Sequence, residues 1–208
     1  LAITEQYRPG NHRLMDPIER IQADRKDARN NNDPNANLCF LALSESGKPS
    51  VRTLVLRDVN TDGFTLFINK TSPKWSIIQS NNKAEILIWY NNSQTQYRIN
   101  GLIEELTVSV IEQNWHRRPI ESKYMDYAYQ SLGPQSSKVN SRGDLVEHIE
   151  GLKEAHPEKE MVTPESAAGI VLRPEVIEIL ALNSPNRIHD RQHFSLINGK
   201  WQSIQLIP

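Results

Sequence analysis

Three basic or chargeable residues near the end of the chain have the spacing of an anion-binding strand. Arg187, His189 and Arg191 are each two positions apart, so in an extended chain all three side chains lie on one face. Chargeable groups that share a face repel one another unless an anion lies between them. Two interpretations stay open here: a phosphate-bearing ligand, or the solvated exterior of a barrel.

Further cations occur at other element ends. Arg52 and Arg57 flank the apolar part of a predicted strand, and Lys74 lies at a predicted helix start. Free backbone N–H groups and the helix dipole favour an anion at such a start. Because clustered cations without acidic partners destabilise a fold, the pattern favours a phosphate-bearing ligand, which it does not identify.

The elements that must position these residues are mostly short strands joined by turns. Helices are predicted after Asp16-Pro17 and Ser72-Pro73, over 107–117, and after the capping residue Ser141. Strands are predicted over 38–43, 51–56, 64–68, 84–90, 94–106, 169–172, 176–182, 194–197 and 201–207. This order predicts a mainly β, antiparallel barrel or sandwich with peripheral helices. We expect a single domain over 1–208, with a helical and loop arm over 1–36.

Composition excludes several classes of protein. Of the 208 residues, 38% are hydrophobic and 24% charged, which is enough to form a core. The net charge of -1 gives no basic field for nucleic acid. No apolar run has the length of a membrane span or the character of a signal peptide. We therefore expect a cytoplasmic protein that binds neither nucleic acid nor membrane.

Metal binding and the common catalytic motifs are not expected. The single cysteine, Cys39, lies in an apolar run and reads as a buried thiol. His189 and His193 have the four-residue spacing of a helical zinc pair, but in a strand these positions lie about 13 Å apart. The sequence also has no glycine-rich dinucleotide motif, no P-loop and no nucleophile elbow.

A set of segments, taken in order, resembles a known family. They are Val51-Arg52-Thr53-Leu54-Val55-Leu56-Arg57, Asp62-Gly63-Phe64, Asn69-Lys70-Thr71-Ser72-Pro73-Lys74, Gln96-Tyr97-Arg98-Ile99-Asn100-Gly101, Arg118-Pro119, Gln135-Ser136-Ser137, Arg187-Ile188-His189-Asp190-Arg191, and the ending from Trp201 to Pro208. From about Asp16 to Pro208, this order resembles the pyridoxamine 5'-phosphate oxidase family. The resemblance implies an FMN-binding split barrel, in agreement with the strand-rich prediction.

The same resemblance implies which residues bind the cofactor FMN. They are Arg52, Thr53, Leu54, Val55, Leu56, Arg57, Phe67, Ile68, Lys74, Gln96, Gln135, Ser136 and Arg191. In the family, the pair matched by Gln135 and Ser136 reaches the FMN of the partner subunit. The resemblance therefore implies a homodimer with its sites at the interface.

It also implies a small phosphorylated substrate. Substrate-binding residues by this match are Arg57, Arg118, Ser122, Arg187 and His189, of which Arg187 and His189 cover the ring and its amine and are the expected catalytic residues. The implied activity is oxidation of pyridoxamine or pyridoxine 5'-phosphate to pyridoxal 5'-phosphate, with dioxygen as acceptor.

Departures from the family pattern keep other functions open. Pro73 replaces a phosphate-binding arginine, Leu180 replaces a tryptophan against the cofactor, and Asn114 replaces a tyrosine that binds substrate phosphate. Arg57 stands where a lysine is usual, which keeps the charge but changes its geometry. The alternatives are a related flavin oxidase with another substrate, of the phenazine-precursor type, an FMN-binding protein without pyridoxal phosphate chemistry, and a haem- or ligand-binding barrel.

Overall fold

Antiparallel strands form most of the described chain, which in this computed structural model comprises residues 16–182 and 185–208. The strands are β1 (Leu38–Glu45), β2 (Lys48–Val55), β3 (Asp58–Asn60), β4 (Gly63–Asn69), β5 (Lys83–Tyr90), β6 (Thr95–Glu105), β7 (Ala167–Ala181), β8 (Asp190–Ile197) and β9 (Lys200–Leu206). They pair in the order β2-β1-β5-β6-β7-β4-β3, and β8 and β9 extend from β7. The predicted antiparallel split barrel is confirmed.

Alternation of side chains along the strands builds the core of the barrel. Leu41, Ile86, Ile99 and Ile177 are opposite one another on β1, β5, β6 and β7, and each is completely buried. Directly paired residues share a face, so this row defines the inner face of the sheet. Residues one position away, including Phe40, are partly exposed and define the outer face.

A single long strand replaces two predicted ones. We expected separate strands over 169–172 and 176–182 because Pro174 lies between them, but β7 runs through it. The register shifts at Asn100 and Gly101, and Gly101 lies opposite Pro174. A Cβ atom at Gly101 would lie 2.0 Å from the carbonyl oxygen of Arg173, so the bulge depends on glycine. The first half of β7 then pairs with β4 and the second with β8.

The prediction that Arg187, His189 and Arg191 share one strand face is wrong. Strand β8 begins at Asp190, so Arg187 and His189 lie in the preceding loop. The Asn186 side chain accepts a hydrogen bond from the backbone N–H of Ile188, 2.9 Å away, and Arg187 has a φ of 58°. This Asx turn breaks the alternation of an extended chain before the strand starts.

Five α-helices and one short 3-10 helix lie in the described ranges. They are α1 (Pro17–Asn30), α2 (Pro73–Ser80), α3 (Val108–His116), α4 (Ile120–Ser131), α5 (Arg142–Ala155) and the 3-10 helix Glu158–Glu160. The starts of α1 and α5 are confirmed by side-chain caps: Asp16 accepts from the N–H of Ile18, and Ser141 from that of Asp144. Helix α4 was not predicted. None of these helices is long and apolar enough to cross a membrane.

A second, smaller core joins the helices to the barrel. Ile111 and Trp115 of α3 pack with Tyr124 of α4 and with Met161 and Ala167 near the start of β7. This packing places α3 and α4 beside the rim of the barrel where β4 ends. Lys74, expected to bind cofactor phosphate, and Arg118, expected to bind substrate, therefore lie close to this rim, whereas the loop with Arg187 and His189 precedes β8, which pairs with the other end of β7.

Candidate functional site

Two buried polar atoms without hydrogen-bond partners among the described residues belong to a cluster at the start of α2. Arg52 of β2 faces this cluster, and its Nη1 atom is buried with no hydrogen-bond partner among the described residues. The hydroxyl of Ser72, which is 3% exposed, is also buried and unpaired, and it does not cap the helix. Burial of such groups is unfavourable unless a ligand accepts and donates the missing hydrogen bonds. An anion at this helix start satisfies that requirement.

Lys74 completes the cationic cluster. Burial lowers the pKa of Lys74, and the nearby positive charge of Arg52 lowers it further. Burial likewise lowers the pKa of Arg52. Two cations held close together at partial burial, with the free hydroxyl of Ser72 beside them, suit the oxygen atoms of a phosphate monoester. The predicted roles of Arg52 and Lys74 thus fall on one cluster, which we call the α2 cluster: Arg52, Ser72 and Lys74.

The loop after α4 closes over the α2 cluster from the same chain. The Lys74 ammonium donates to Gln135 Oε1 at 3.2 Å, and the Gln135 N–H donates to the Thr71 hydroxyl at 3.1 Å. Helix α4 thus carries this loop back to α2 of the same chain, and the expectation that Gln135 also reaches the FMN of a partner subunit stays a prediction. Ser136, expected to act with Gln135, is exposed and has a φ of 78°.

A buried carboxylate links this loop to the predicted substrate arginine. Asp126 of α4 is 3% exposed and accepts hydrogen bonds from Trp115 Nε1 at 2.8 Å and Arg118 Nη1 at 2.5 Å. It also accepts from the Asn69 amide at 3.3 Å, and Asn69 in turn accepts from the N–H and hydroxyl of Thr71. Arg118 is thus held in an ion pair, and the other expected residue, Ser122, uses its carbonyl to accept from Arg118. The sequence analysis missed Asp126, although an aspartate between Tyr124 and Ala128 of a half-buried helix was a usable signal.

A cleft between α3 and the sheet gathers a different set of residues. Its volume is about 560 Å³, in the range of small-molecule sites. Leu106, Val110 and Val171 form an apolar side, and Arg57, Asn114 and Arg117 form a polar side. The predicted substrate residue Arg57 and the departure Asn114 therefore meet here, whereas Arg118 and Ser122 do not line the cleft. Arg117 was not singled out from the sequence.

Gln96 and Arg191 lie in one row on the outer face of the sheet. Gln96 is opposite Leu180, and Leu180 is opposite Arg191. Arg191 Nη2 donates to Glu178 at 3.0 Å, while its Nε atom is buried without a partner. Leu180 stands where the family has a tryptophan against the cofactor, so the row coincides with three positions of the cofactor match.

The remaining predicted residues differ in their access to a ligand. Thr53 and Val55 are exposed on the outer side of β2, and Leu54 and Phe67 are partly buried. Leu56 and Ile68 pack in the core at 1% and 8% exposure, so only their backbone atoms face outward. Arg187 is exposed and His189 half-buried, in the loop before β8.

The strand order defines the class of antiparallel split-barrel proteins. A family model described as "Pyridoxamine 5'-phosphate oxidase" matches residues 31–152, more than half of the chain. Two proteins named pyridoxine/pyridoxamine 5'-phosphate oxidase are each 31% identical to it: that of Pelagibacter ubique over 93% of this chain and 92% of its own, and that of Salinibacter ruber over 95% and 92%. The chain belongs to the pyridoxamine 5'-phosphate oxidase family.

Solved structures agree on the fold. PhzG from Burkholderia lata, in complex with tetrahydrophenazine-1-carboxylic acid, superimposes with a TM-score of 0.86 at 22% identity and covers 98% of each chain. A pyridoxamine 5'-phosphate oxidase-related, FMN-binding protein from Nostoc punctiforme gives a TM-score of 0.73 at 20% identity, over 93% of this chain and 99% of its own. At these identities the likeness concerns the barrel alone.

Proposed function

We propose that the protein is an FMN-dependent oxidase that converts pyridoxamine or pyridoxine 5'-phosphate to pyridoxal 5'-phosphate with dioxygen as electron acceptor. The observation that carries the proposal is the α2 cluster, with its two unpartnered buried atoms and two close cations. These groups would donate hydrogen bonds to the phosphate of FMN. Family membership supports the oxidase chemistry.

The chain's own residues would bind and orient both molecules. When bound, FMN supplies the electron-accepting chemistry. Arg52, Ser72 and Lys74 would hold its phosphate, and Gln135 would close the loop over Lys74. Arg187 and His189 would cover the substrate ring and its amine or hydroxyl, as the resemblance implies. Holding the reacting carbon in one orientation lowers the entropic part of the activation barrier.

We also propose that the active form is a homodimer. The α2 cluster includes Arg52, which is paired with Leu41 and therefore belongs to the inner-face set, whereas Gln96 and Arg191 belong to the outer face. One FMN molecule would contact both Arg52 on the inner face and the outer-face residues Gln96 and Arg191 if a second copy of the chain supplied one of these two sets.

The single cysteine, Cys39, is a buried free thiol whose pKa is raised to about 12 by burial. Such a thiol is typical of the reducing cytoplasm, where we place the protein.

The proposal is tested with the purified protein in two steps. A visible flavin spectrum with about one FMN per chain is expected, and it should be lost or weakened in Arg52→Met and Ser72→Ala. Hydrogen peroxide release is then measured with pyridoxamine 5'-phosphate and pyridoxine 5'-phosphate. FMN binding without peroxide release from either substrate would contradict the proposed activity and leave only flavin binding.

A second candidate is a flavin oxidase with another substrate, of the phenazine-precursor type. It is favoured by the Arg118–Asp126 pair, because an arginine already neutralised by a buried carboxylate binds a substrate phosphate poorly. Peroxide release with a dihydrophenazine carboxylate, in the absence of release with either vitamin phosphate, would support this candidate instead.

A further inference from the structure

We infer that a pocket between helix α1 and the turn from β5 to β6 binds a small alkylammonium ion. We call it the α1 pocket; Asp24 and Asp27 of the helix, Tyr90 of β5 and Ser93 of the turn are among the residues that line it. Its volume is about 240 Å³, below the usual range of drug-sized sites, so the ligand is small. None of these residues belongs to the segments matched to the family, and the inference is independent of the proposed function.

The helix side of the α1 pocket is acidic. Asp24 and Asp27 are three positions apart on α1, so their carboxylates are neighbours on the helix surface, where like charges are destabilising. They are the only charged residues among the described ones that line the pocket. Asp27 is exposed, and its carboxylate has no ion pair or hydrogen bond within the described part of the chain. A cation between the two carboxylates would offset their repulsion.

A buried hydroxyl without a partner lies on the opposite side. Tyr90 is 1% exposed, and its hydroxyl has no hydrogen-bond partner among the described residues, which is unfavourable unless a ligand supplies one. The charges that act on this phenol come from α1 and the segment after it: Asp24, Arg25, Arg29 and Asp33. The hydroxyl therefore points from β5 toward the helix. Burial raises the pKa of Tyr90, so the phenol stays neutral and its oxygen can accept a hydrogen bond from an ammonium group.

The cations of α1 itself do not occupy the pocket. Arg25 is buried and donates to backbone carbonyl oxygens, and the Nε atom of Arg29 donates at 2.8 Å to a side-chain oxygen of the loop after the helix. Arg20 Nε lies 3.9 Å from Asp24, at the outer limit of an ion pair. Neither these three residues nor the exposed Lys26 lines the pocket. Its negative charge is therefore available to a cation from solution.

The composition of the pocket favours an organic cation over a metal ion. Ala28 and the ring of Tyr90 offer apolar contact beside the carboxylates. In the ranges that the structure describes, no group of three or more histidine, cysteine, aspartate or glutamate side chains is placed to hold a metal ion. An alkylammonium ion uses both the charge and the apolar wall.

Contacts between the helix end and the turn preform the α1 pocket. The backbone N–H of Asn92 donates to Asp33 Oδ2 at 2.8 Å, and its side-chain amide donates to the carbonyl oxygen of Asn31 at 3.1 Å. Asn31 and Asn92 both line the pocket. Because these walls are held together before a ligand arrives, binding costs little reorganisation.

The experiment titrates the purified full chain with 1,4-diaminobutane in a calorimeter at about pH 7, where the amino groups of the probe are charged. Saturable binding of one molecule per chain is expected. The control ligand 1,4-butanediol has the same carbon chain without the charges and should bind at least about tenfold more weakly, since a charge-assisted contact is worth that factor or more. No saturable binding of the diamine, or equal binding of the diol, would overturn the inference.

Two variants test the residues that carry the inference. Asp27→Asn removes one charge and keeps the shape, and Tyr90→Phe removes only a hydroxyl that has no partner in the free protein, so neither should lower the unfolding temperature. Each should weaken diamine binding about tenfold. Glu19→Gln, at an exposed acidic residue in the first turn of the same helix, is the matched control and should bind as wild type does. Unchanged affinity in Tyr90→Phe or Asp27→Asn, or an equal loss in Glu19→Gln, would overturn the assignment.

Discussion

At the residue scale, the proposed role of Lys74 in binding the FMN phosphate predicts that cofactor binding depends on pH. Burial and Arg52 lower its pKa in the ligand-free protein, whereas a phosphate beside it would raise the pKa by favouring the charged form. Binding of a phosphate is therefore coupled to proton uptake whenever the pH lies above the lowered pKa. The sign of the effect follows directly: high pH opposes binding.

We expect FMN affinity to be complete below the lowered pKa of Lys74 and to fall as the pH rises toward the higher pKa of the complex. The measurement is an FMN titration followed by flavin fluorescence from about pH 7 upward, toward the ordinary lysine pKa of about 10.4. Lys74→Arg is the matched control, because its guanidinium stays charged across this range. A wild-type affinity that does not change with pH, or an equal decline in Lys74→Arg, would refute the coupling.

Substitutions of Arg191 and Arg187 should have different effects, the first on cofactor binding and the second on substrate turnover. Arg191 lies in the strand row with Gln96 and has a buried, unpartnered Nε atom, whereas Arg187 is exposed in the loop before β8. Arg191→Ala should lower FMN content, and Arg187→Ala should raise KM and lower kcat with the flavin spectrum unchanged. FMN content and steady-state peroxide release on both variants give the answer. Unchanged FMN and kinetics in both would remove these residues from the site.

At the scale of elements, the bulge at Gly101 allows β7 to pass from one strand neighbour to another. Gly101→Ala would place a methyl group 2.0 Å from the backbone oxygen of Arg173, which only a backbone shift can relieve. We expect a loss of about 1–3 kcal/mol in the free energy of unfolding, as for other overpacked sites. Urea unfolding measures this change.

Gly151→Ala on α5 is the opposite case and serves as the control. A Cβ atom there meets nothing within 4 Å, so the substitution should stabilise the protein by up to about 1 kcal/mol through helix propensity. Equal stabilities for Gly101→Ala and wild type would show that the bulge tolerates a side chain.

Helix α1 has a second element-scale role, because it holds the segment between β2 and β4. Arg25 is 5% exposed, and its guanidinium donates to the carbonyl oxygens of Leu56, Arg57 and, at 3.3 Å, Ala36. Tyr97 of β6 likewise donates to Asp24 of the same helix. Helix α1, which belongs to the predicted arm over 1–36, therefore positions the backbone at Leu56 and Arg57 beside the cleft.

For the whole molecule, the outer face of the sheet is the surface that we expect to pair two copies. Phe40 and Leu87 lie at one end of a row across it and Ile204, 59% exposed, at the other, with Arg98, Glu178 and His193 between them. Partly exposed apolar side chains on such a row favour association with a second surface. We further propose that residues 1–208 act as one domain in this assembly.

Sedimentation at micromolar concentration should give the mass of two chains. Ile204→Glu should shift the mass toward one chain and lower FMN content with it, because part of the cofactor site would be lost. Val162→Glu is the control, since Val162 is 68% exposed but lies outside the sheet, after the 3-10 helix. A single-chain mass for wild type with FMN bound would refute the interface.

Local chemistry in the sequence determined where most elements begin and which class of fold they build. Asp16 and Ser141 mark helix starts by capping, and Pro17 and Pro73 by their preset φ, because both effects act between near neighbours; the capping expected of Ser72 does not occur. Alternating apolar residues predicted the antiparallel strands for the same reason. Arg52 and Lys74 were identified from the sequence because their position at element ends and the family match agree.

Only the tertiary structure decided which of the basic residues are free to bind a ligand. Lys74 and Gln135 are 61 residues apart in sequence, and Asn69 and Asp126 are 57 apart, so no local pattern connects them. Arg117 and Arg118 are adjacent and chemically identical in sequence, yet one faces the cleft and the other a buried aspartate. The difference arises because the packing of α3 against α4 turns one side chain inward, and such packing depends on contacts between distant parts of the chain.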